Sequence, residues 1–327
     1  MTSYELFDNT RVSDFKRCAR YFYFRHRRHW VRSGPPSLPL GFGSAWHEAQ
    51  DALWRGVNAG KGRKEVLEEA HHAFNAKWIE SGLPADVDIA LAKELSPRTP
   101  MVASEMLYAY YDKRERQIKE WELVEVERPF AVPLRADRPN LFYIGRMDKI
   151  VRPSASRMRT IEHKTTTASK LSHDKEPKIR GIYLESYSPN SQVDGYLFAL
   201  TMLYGDLATH FDVWVDAALV NAKGEDFQWV PVERQRDQIN AWLWEVNDWI
   251  DAIRREDGLL AQATPSDPYL AAFRKDTSRC FDFNTQCPYL DLCKARPNPL
   301  TWHEPPPGYE SYEWNPLDHI GTPEELK

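Results

Sequence analysis

Tyr143-Ile144-Gly145-Arg146-Met147-Asp148-Lys149-Ile150 and Ile161-Glu162-His163-Lys164-Thr165 decide how this chain folds. Both read as apolar strands with acids set inside them. Residues two apart on a strand point to the same face, so Glu162 and Lys164 project together. An acid and a lysine on one face can act jointly: the carboxylate binds a cation and the ammonium holds a water or a phosphate. Between the two segments lies Pro153-Ser154-Ala155-Ser156, a turn-forming cluster. A hairpin centred near Ala155 sets Asp148 opposite Glu162, because 148 and 162 are equally far from 155. Directly opposed side chains share a face, and two carboxylates held so close repel unless a cation sits between them. E-x-K by itself is common and more often marks a solvated face. The opposed acid is what gives it chemical meaning.

Two further segments carry polar residues at telling positions. Gly41-Phe42-Gly43-Ser44-Ala45-Trp46-His47-Glu48 is a glycine-rich lead into a helix expected over 44–57. A lone histidine is more often structural than a ligand. Ser191-Gln192-Val193-Asp194-Gly195-Tyr196 opens a helix after Pro189 and Asn190, with Gln192 and Tyr196 one turn apart on one face.

The order G-x-x-x-H, G-R-x-D, E-x-K, Q-x-x-x-Y resembles the PD-(D/E)XK nuclease superfamily. It looks most like the RecB-like branch, which includes the AddB nuclease domain and the CRISPR adaptation nucleases. The resemblance runs from about Ser13 to Lys294. It implies an α/β fold with a restriction-endonuclease-like core, a central mixed sheet flanked by helices. It also implies metal ligation by His47, Asp148, Glu162 and the main-chain carbonyl of His163. Lys164 would stand beside the attacking water, and Gln192 and Tyr196 would line the site and the DNA path. Glu48 follows His47 and many relatives use Glu in this helix; His47 is the expected ligand.

Cys18, Cys280, Cys287 and Cys293 are the only cysteines. No N-terminal apolar run suggests export, so a cytoplasmic location is expected, bacterial or in a host cell if phage-encoded, and disulfides are not. An even count then points to a metal site, and four thiolates suit zinc or an iron–sulfur cluster. The one-plus-three layout resembles the [4Fe–4S] cluster of the same RecB-like nucleases, which ties the N-terminal region to the C-terminal end of the domain. The gap from Cys280 to Cys287 is wider than the C-x-x-C of many members.

The net charge of −5 is unusual for a DNA-binding protein, but its distribution matters more. Six acids and one lysine fall in 303–327, leaving the remainder neutral, while 11–32 holds eight Lys and Arg against one Asp. Lys16, Arg17, Arg25, Arg27 and Arg28 are interleaved there with aromatics, a pattern suited to phosphate contact and base stacking. It suits equally an amphipathic helix with solvated arginines. No segment is long enough to cross a bilayer. Gly56-Val57-Asn58-Ala59-Gly60-Lys61 falls one residue short of a phosphate loop, so any helicase or recombinase partner would be a separate chain. His71-His72 lies in a polar helix and is expected to be exposed.

One domain is expected over 1–294, with a helical insertion at 61–122 and a cysteine cluster at 280–294, followed by an acidic, Pro-rich tail at 295–327. That tail should be loosely ordered or pack as a strap. Ser13 should cap a helix running through Cys18 to about Phe24. Strands are expected at 124–134, 141–152, 158–166, 211–220 and 227–232, a mobile loop at 169–178, and helices at 191–204 and 233–255. Ile239, Trp242, Leu243, Val246, Trp249, Ile250 and Ile253 give the last helix a clean apolar stripe. The expected activity is Mg²⁺- or Mn²⁺-dependent hydrolysis of DNA. An exonuclease acting on single-stranded or frayed ends would leave 5′ phosphates, in recombination, repair or phage DNA processing. The alternatives are a non-catalytic nucleic-acid-binding subunit and an RNA-directed nuclease.

Overall fold

The computed structural model describes residues 4–35, 37–282 and 285–313, with Pro323. The chain runs β1 (Glu5–Phe7), α1 (Asn9–Arg17), α2 (Ala19–Phe22), β2 (Trp30–Arg32), α3 (Leu38–Asn58), α4 (Arg63–Glu80), α5 (Ile89–Leu95) and α6 (Pro100–Glu120). It continues through β3 (Glu122–Pro133), β4 (Leu141–Ser154), β5 (Arg157–Thr166), β6 (Ser169–Leu171), β7 (Pro177–Ile179), α7 (Gly181–Glu185) and α8 (Ser191–Tyr204). Then come β8 (His210–Leu219), β9 (Phe227–Val232), α9 (Arg236–Leu260), α10 (Leu290–Ala295) and β10 (Tyr309–Ser311). The result is an α/β fold around a mixed sheet. Among the described residues no helix is long and apolar enough to cross a membrane.

Two compact units divide the chain. One comprises 35–130 and 146–235. Its sheet runs β4-β5-β8-β9, with β3 also on β4. β4 and β5 are antiparallel, with Lys149 opposite Ile161, Ile150 opposite Thr160 and Val151 opposite Arg159. The register then shifts, so that Ser154 pairs with Arg157 around a two-residue turn. The extra residue on β4 is a bulge. Beyond it the strands keep the expected register, and one step past Lys149–Ile161 brings Asp148 alongside Glu162. β5 lies parallel to β8, and β8 antiparallel to β9. Period two holds along β5: Ile161 sits in the core with residues of α3, α4 and α6. The ring of His163 packs against Trp54 and Tyr110, and Glu162 and Lys164 meet each other.

The helix that carries His47 starts earlier than expected, at Leu38, so Gly41 lies inside it. A Cβ on Gly41 would come 2.6 Å from the Leu83 side chain. Close packing against the chain following α4 therefore offsets glycine's helix-weakening entropy. The segment expected to be a mobile loop at 169–178 is instead a small hairpin, with Ser169 opposite Ile179. The Ile179 amide is tied to the Asp226 carboxylate at 3.0 Å.

The other unit comprises 1–34, 131–145 and 236–327. β1 runs parallel to the opening residues of β4. Asp8, not Ser13, caps the first helix, its carboxylate accepting from the Arg11 amide. The helix does not continue through Cys18, whose backbone is extended; it restarts as α2 and runs into a wide turn at Tyr23–Arg27. Arg20 explains the break. It is buried, and its guanidinium donates to the carbonyls of Phe273, Leu270 and Ala272. On α9, Trp242, Val246, Ile250 and Ile253 of the predicted stripe are fully buried, while Ile239, Leu243 and Trp249 are half-buried. β10 pairs antiparallel with β2, so the described part of the tail is strapped down. The rest of the tail expected over 295–327 lies outside the described residues, Pro323 excepted.

Lys149 has no solvent exposure, and its ammonium lies 2.8 Å from the buried Asp51 carboxylate on α3. Removing one partner leaves an uncompensated buried charge. Asp51→Ala should lower stability by about 3–5 kcal/mol in urea denaturation. A loss under about 1 kcal/mol would mean that water reaches Lys149 and the pair anchors nothing.

Candidate active site

The middle of β5 brings Glu162 and Lys164 side by side, with Lys164 Nζ 2.5 Å from Glu162 Oε1. The same oxygen accepts from Gln192 Nε2 at 3.0 Å. Glu162 Oε2 is buried with no hydrogen-bond partner. Burial, then the charge of Asp148, pushes the Glu162 carboxyl upward. Burial works against the Lys164 ammonium, but Glu162 outweighs it and the lysine stays protonated, its pKa raised.

Asp148 Oδ2 accepts from the His163 amide at 2.8 Å and lies 3.2 Å from His47 Nδ1. Burial disfavours the Asp148 charge, yet His47 and Lys149 hold its carboxyl below the usual range. His47 is affected the opposite way: burial lowers its pKa, and Asp148 more than compensates, raising it. Glu48 is exposed, and His47 is the one that meets Asp148. The His163 ring is fully buried and held neutral by desolvation. Below it, Asp216 accepts from Tyr110 at 2.7 Å and Arg114 at 2.8 Å.

α8 presents Gln192 and Tyr196 because Asn190 caps it, accepting from the amides of Gln192 and Val193. Gln192 Nε2 donates to Tyr196 Oη at 3.0 Å, and Tyr196 Oη donates to the Arg146 carbonyl at 3.0 Å. The pair therefore links the Glu162 carboxylate to the β4 backbone.

Glu127 joins this group unforeseen. It lies on β3, and its carboxylate contacts Arg146 Nε at 2.5 Å. One ligand atom each from His47, Glu127 and Asp148 lie within 4.8 Å of one another. Glu127 has φ +53°, a left-handed conformation that costs a non-glycine residue about 1–2 kcal/mol. Burial, then the charges of Asp148 and Asp51, pushes its carboxyl up to about 7. The signal was present in the alternation of Leu123-Val124-Glu125-Val126-Glu127, where acids recur on one face of a strand. What hid it is that Glu125, two residues earlier, is bound to Tyr204 and Arg128 and has an ordinary structural role. Oxygen donors with one imidazole suit a hard divalent cation; Glu162, an expected ligand, is not among the three whose atoms lie within 4.8 Å of one another.

In the other unit, all four cysteines line one recess of about 140 Å³. Among the described residues no three of their sulfurs lie within 4.8 Å of one another. The Asp276 amide donates to Cys18 Sγ at 3.3 Å. Burial raises the Cys287 thiol and pushes Cys293 up to about 11. The basic residues of the N-terminal segment have partners within this unit. Lys16 lies over Trp249, Arg17 pairs with Asp282, and Arg25 with Asp14. Arg27 makes a two-pronged contact with Asp257, and Arg28 donates to the Trp302 carbonyl and covers Trp30. His71, expected to be exposed, is half-buried beside Ser104 and Tyr108.

The family profile described as the PD-(D/E)XK nuclease superfamily matches residues 9–294, and this chain belongs to that superfamily. Its members typically use divalent metals. Among solved structures, the chain is similar to a candidate exonuclease from Eubacterium rectale. Identity is 13%, over 75% of this chain and 79% of that one, with a TM-score of 0.43. It is also similar to SSO0001, with 12% identity over 75% and 77% and a TM-score of 0.29. No curated protein matches.

Tyr196→Phe removes the hydroxyl that joins Gln192 to the Arg146 carbonyl. It should cost about 1–2 kcal/mol, read as a shift in the urea midpoint at constant slope. An unchanged midpoint would mean the link contributes nothing to holding α8 on β4.

Proposed function

We propose that this chain is a Mg²⁺- or Mn²⁺-dependent DNA nuclease of the RecB-like branch, an exonuclease acting on single-stranded or frayed ends. The observation that carries the reading is the pairing of His47 with Asp148 and of Lys164 with Glu162 on neighbouring strands, with one Glu162 oxygen buried and unpartnered. Among the described residues Glu162 stands outside the group of donor atoms that lie within 4.8 Å of one another. His47, Asp148, Glu162 and the His163 carbonyl would hold the cation. When bound, it would lower the pKa of a water and stabilise charge on the phosphate and the leaving oxygen. Lys164 would orient that water and offset charge on the phosphorus. The water oxygen bonds to phosphorus and gives its proton to solvent, the P–O3′ bond breaks, and the departing 3′ oxygen takes up a proton, leaving a 3′ hydroxyl on one side of the cut and a 5′ phosphate on the other. Gln192 and Tyr196 would keep the Glu162 carboxylate in place through the attack. The exposed edges of Lys16, Arg17, Arg25, Arg27 and Arg28 would contact the DNA backbone. Recombination, repair or phage DNA processing, with a separate helicase or recombinase, is the setting this reading implies. It places the chain in the cytoplasm as one nuclease domain over 1–294.

The same reading assigns Cys18, Cys280, Cys287 and Cys293 to a [4Fe–4S] cluster. Support comes from their shared recess and from the amide aimed at Cys18 Sγ. A cluster spans a wider set of thiolates than a single zinc ion, which is the alternative for the same four sulfurs. Arg17, Lys275, Arg279 and Lys294 line the same recess and would balance its negative charge.

Asp148→Ala, Glu162→Ala and Lys164→Ala should each reduce cleavage of end-labelled DNA at least about a hundredfold while leaving DNA binding intact. Linear single strands should be degraded and circles spared, with all activity lost in EDTA. Near wild-type turnover by Lys164→Ala, or cleavage in chelator, would overturn the metal mechanism.

Protein purified without oxygen should be brown, absorb broadly at about 400 nm and contain about four irons per chain. Cys18→Ala should lose both colour and thermal stability, because a metal clip turns binding energy into folding energy. Stoichiometric zinc without iron, or four freely alkylated thiols, would overturn the cluster.

A further inference from the structure

We propose that Glu127 is a ligand of the metal centre, and that Arg146 is its built-in competitor for that carboxylate. The inference rests on the reading that His47 and Asp148 bind a divalent cation. It adds a residue outside every motif that pointed to the site.

Geometry carries it first. Ligands at about 2.1 Å from an octahedral cation stand about 3.0 Å apart when adjacent and about 4.2 Å apart when opposite. One donor atom each from His47, Glu127 and Asp148 already fall within 4.8 Å of one another. A cation therefore needs only small side-chain adjustments to touch all three. A second, independent sign comes from Glu162, which is 3% exposed and whose Oε2 has no partner. That carboxylate lies on β5 beside β4, which carries Asp148, and leaves one buried acceptor unfilled next to the group. Backbone strain at Glu127 is a third. A left-handed glutamate in the middle of a strand persists only where its surroundings hold it, and such residues gather at functional sites.

Arg146 explains how the site tolerates Glu127 without a cation. Its guanidinium, 58% exposed, holds the Glu127 carboxylate, while its carbonyl is fixed by Tyr196. The side chain can swing into solvent without moving the backbone. A cation arriving between His47 and Asp148 would take the carboxylate and release the guanidinium towards the surface, where a substrate phosphate approaches.

The experiment is Mn²⁺ binding at fixed pH and ionic strength, measured by calorimetry and by loss of the free-ion paramagnetic resonance signal. Wild type, Glu127→Gln, Arg146→Ala and Asp148→Asn are compared, with circular dichroism to verify folding. Glu127→Gln should weaken Mn²⁺ binding about tenfold or more, and Arg146→Ala should tighten it severalfold because the competitor is gone. If Glu127 and Arg146 form only a surface ion pair, the two variants would shift affinity together or not at all, and the proposal falls. Should Glu127→Gln fail to fold, Arg146→Ala decides: tighter binding supports the proposal, and unchanged or weaker binding overturns it. Wild type that binds no Mn²⁺ would overturn the underlying metal reading and this inference with it. Loss of binding in Asp148→Asn with unchanged binding in Glu127→Gln would overturn the inference alone.

Discussion

A lysine with no access to water sits directly behind the site, and much of the local architecture follows from satisfying it. Lys149 follows Asp148 on β4, and Asp51 follows His47 by one turn on α3. Strand alternation sends Lys149 and Asp148 to opposite faces. The Lys149–Asp51 pair pins α3 to β4 one helical turn from His47, whose imidazole lies 3.2 Å from Asp148. Neither charge can leave without stranding its partner in the interior, so the register between α3 and β4 is set electrostatically as well as by packing.

The site is strained in charge as well as in backbone. Asp148 and Glu162 are buried and Glu127 half-buried, and Lys164, Lys149, Arg146 and the imidazole of His47 are among the groups that offset them. The carboxyls respond differently. Asp148, flanked by His47 and Lys149, stays charged, whereas Glu162 and Glu127 are pushed towards neutrality by burial and by Asp148 itself. A divalent ion placed among them would let all three ionise. Gln192 and Tyr196 spend their hydrogen bonds on orientation, fixing one Glu162 oxygen so that the other is left free.

The cysteine recess depends on a different constraint. Cys18 comes near the three late cysteines because Arg20, two residues on, is buried among the carbonyls of Leu270, Ala272 and Phe273. The same anchoring breaks the first helix at Cys18 and turns its sulfur towards the Asp276 amide. Arg20, one of the eight basic residues of 11–32, is thus the bolt that joins the two ends of its unit.

Local order along the chain determined the strands β3, β4, β5, β8 and β9, the start and face of α8, and the register that sets Lys149 opposite Ile161 beside Asp148 and Glu162. Each of these rests on short-range rules: alternation with period two, helical spacing, and turn residues that fix a hairpin register. Tertiary structure alone decided the rest. Leu38 rather than Ser44 begins α3, because the cost of Gly41 is offset by close packing against Leu83, 42 residues away. The 169–178 segment folds as a hairpin because Asp226 binds its end. Glu127 enters the site while Glu125 does not, because β3 adopts a left-handed turn that no local propensity favours and only the surrounding packing can hold. Interactions among neighbours in sequence are written in spacing. Those among residues far apart depend on which burial, charge and close approach the folded chain can satisfy together.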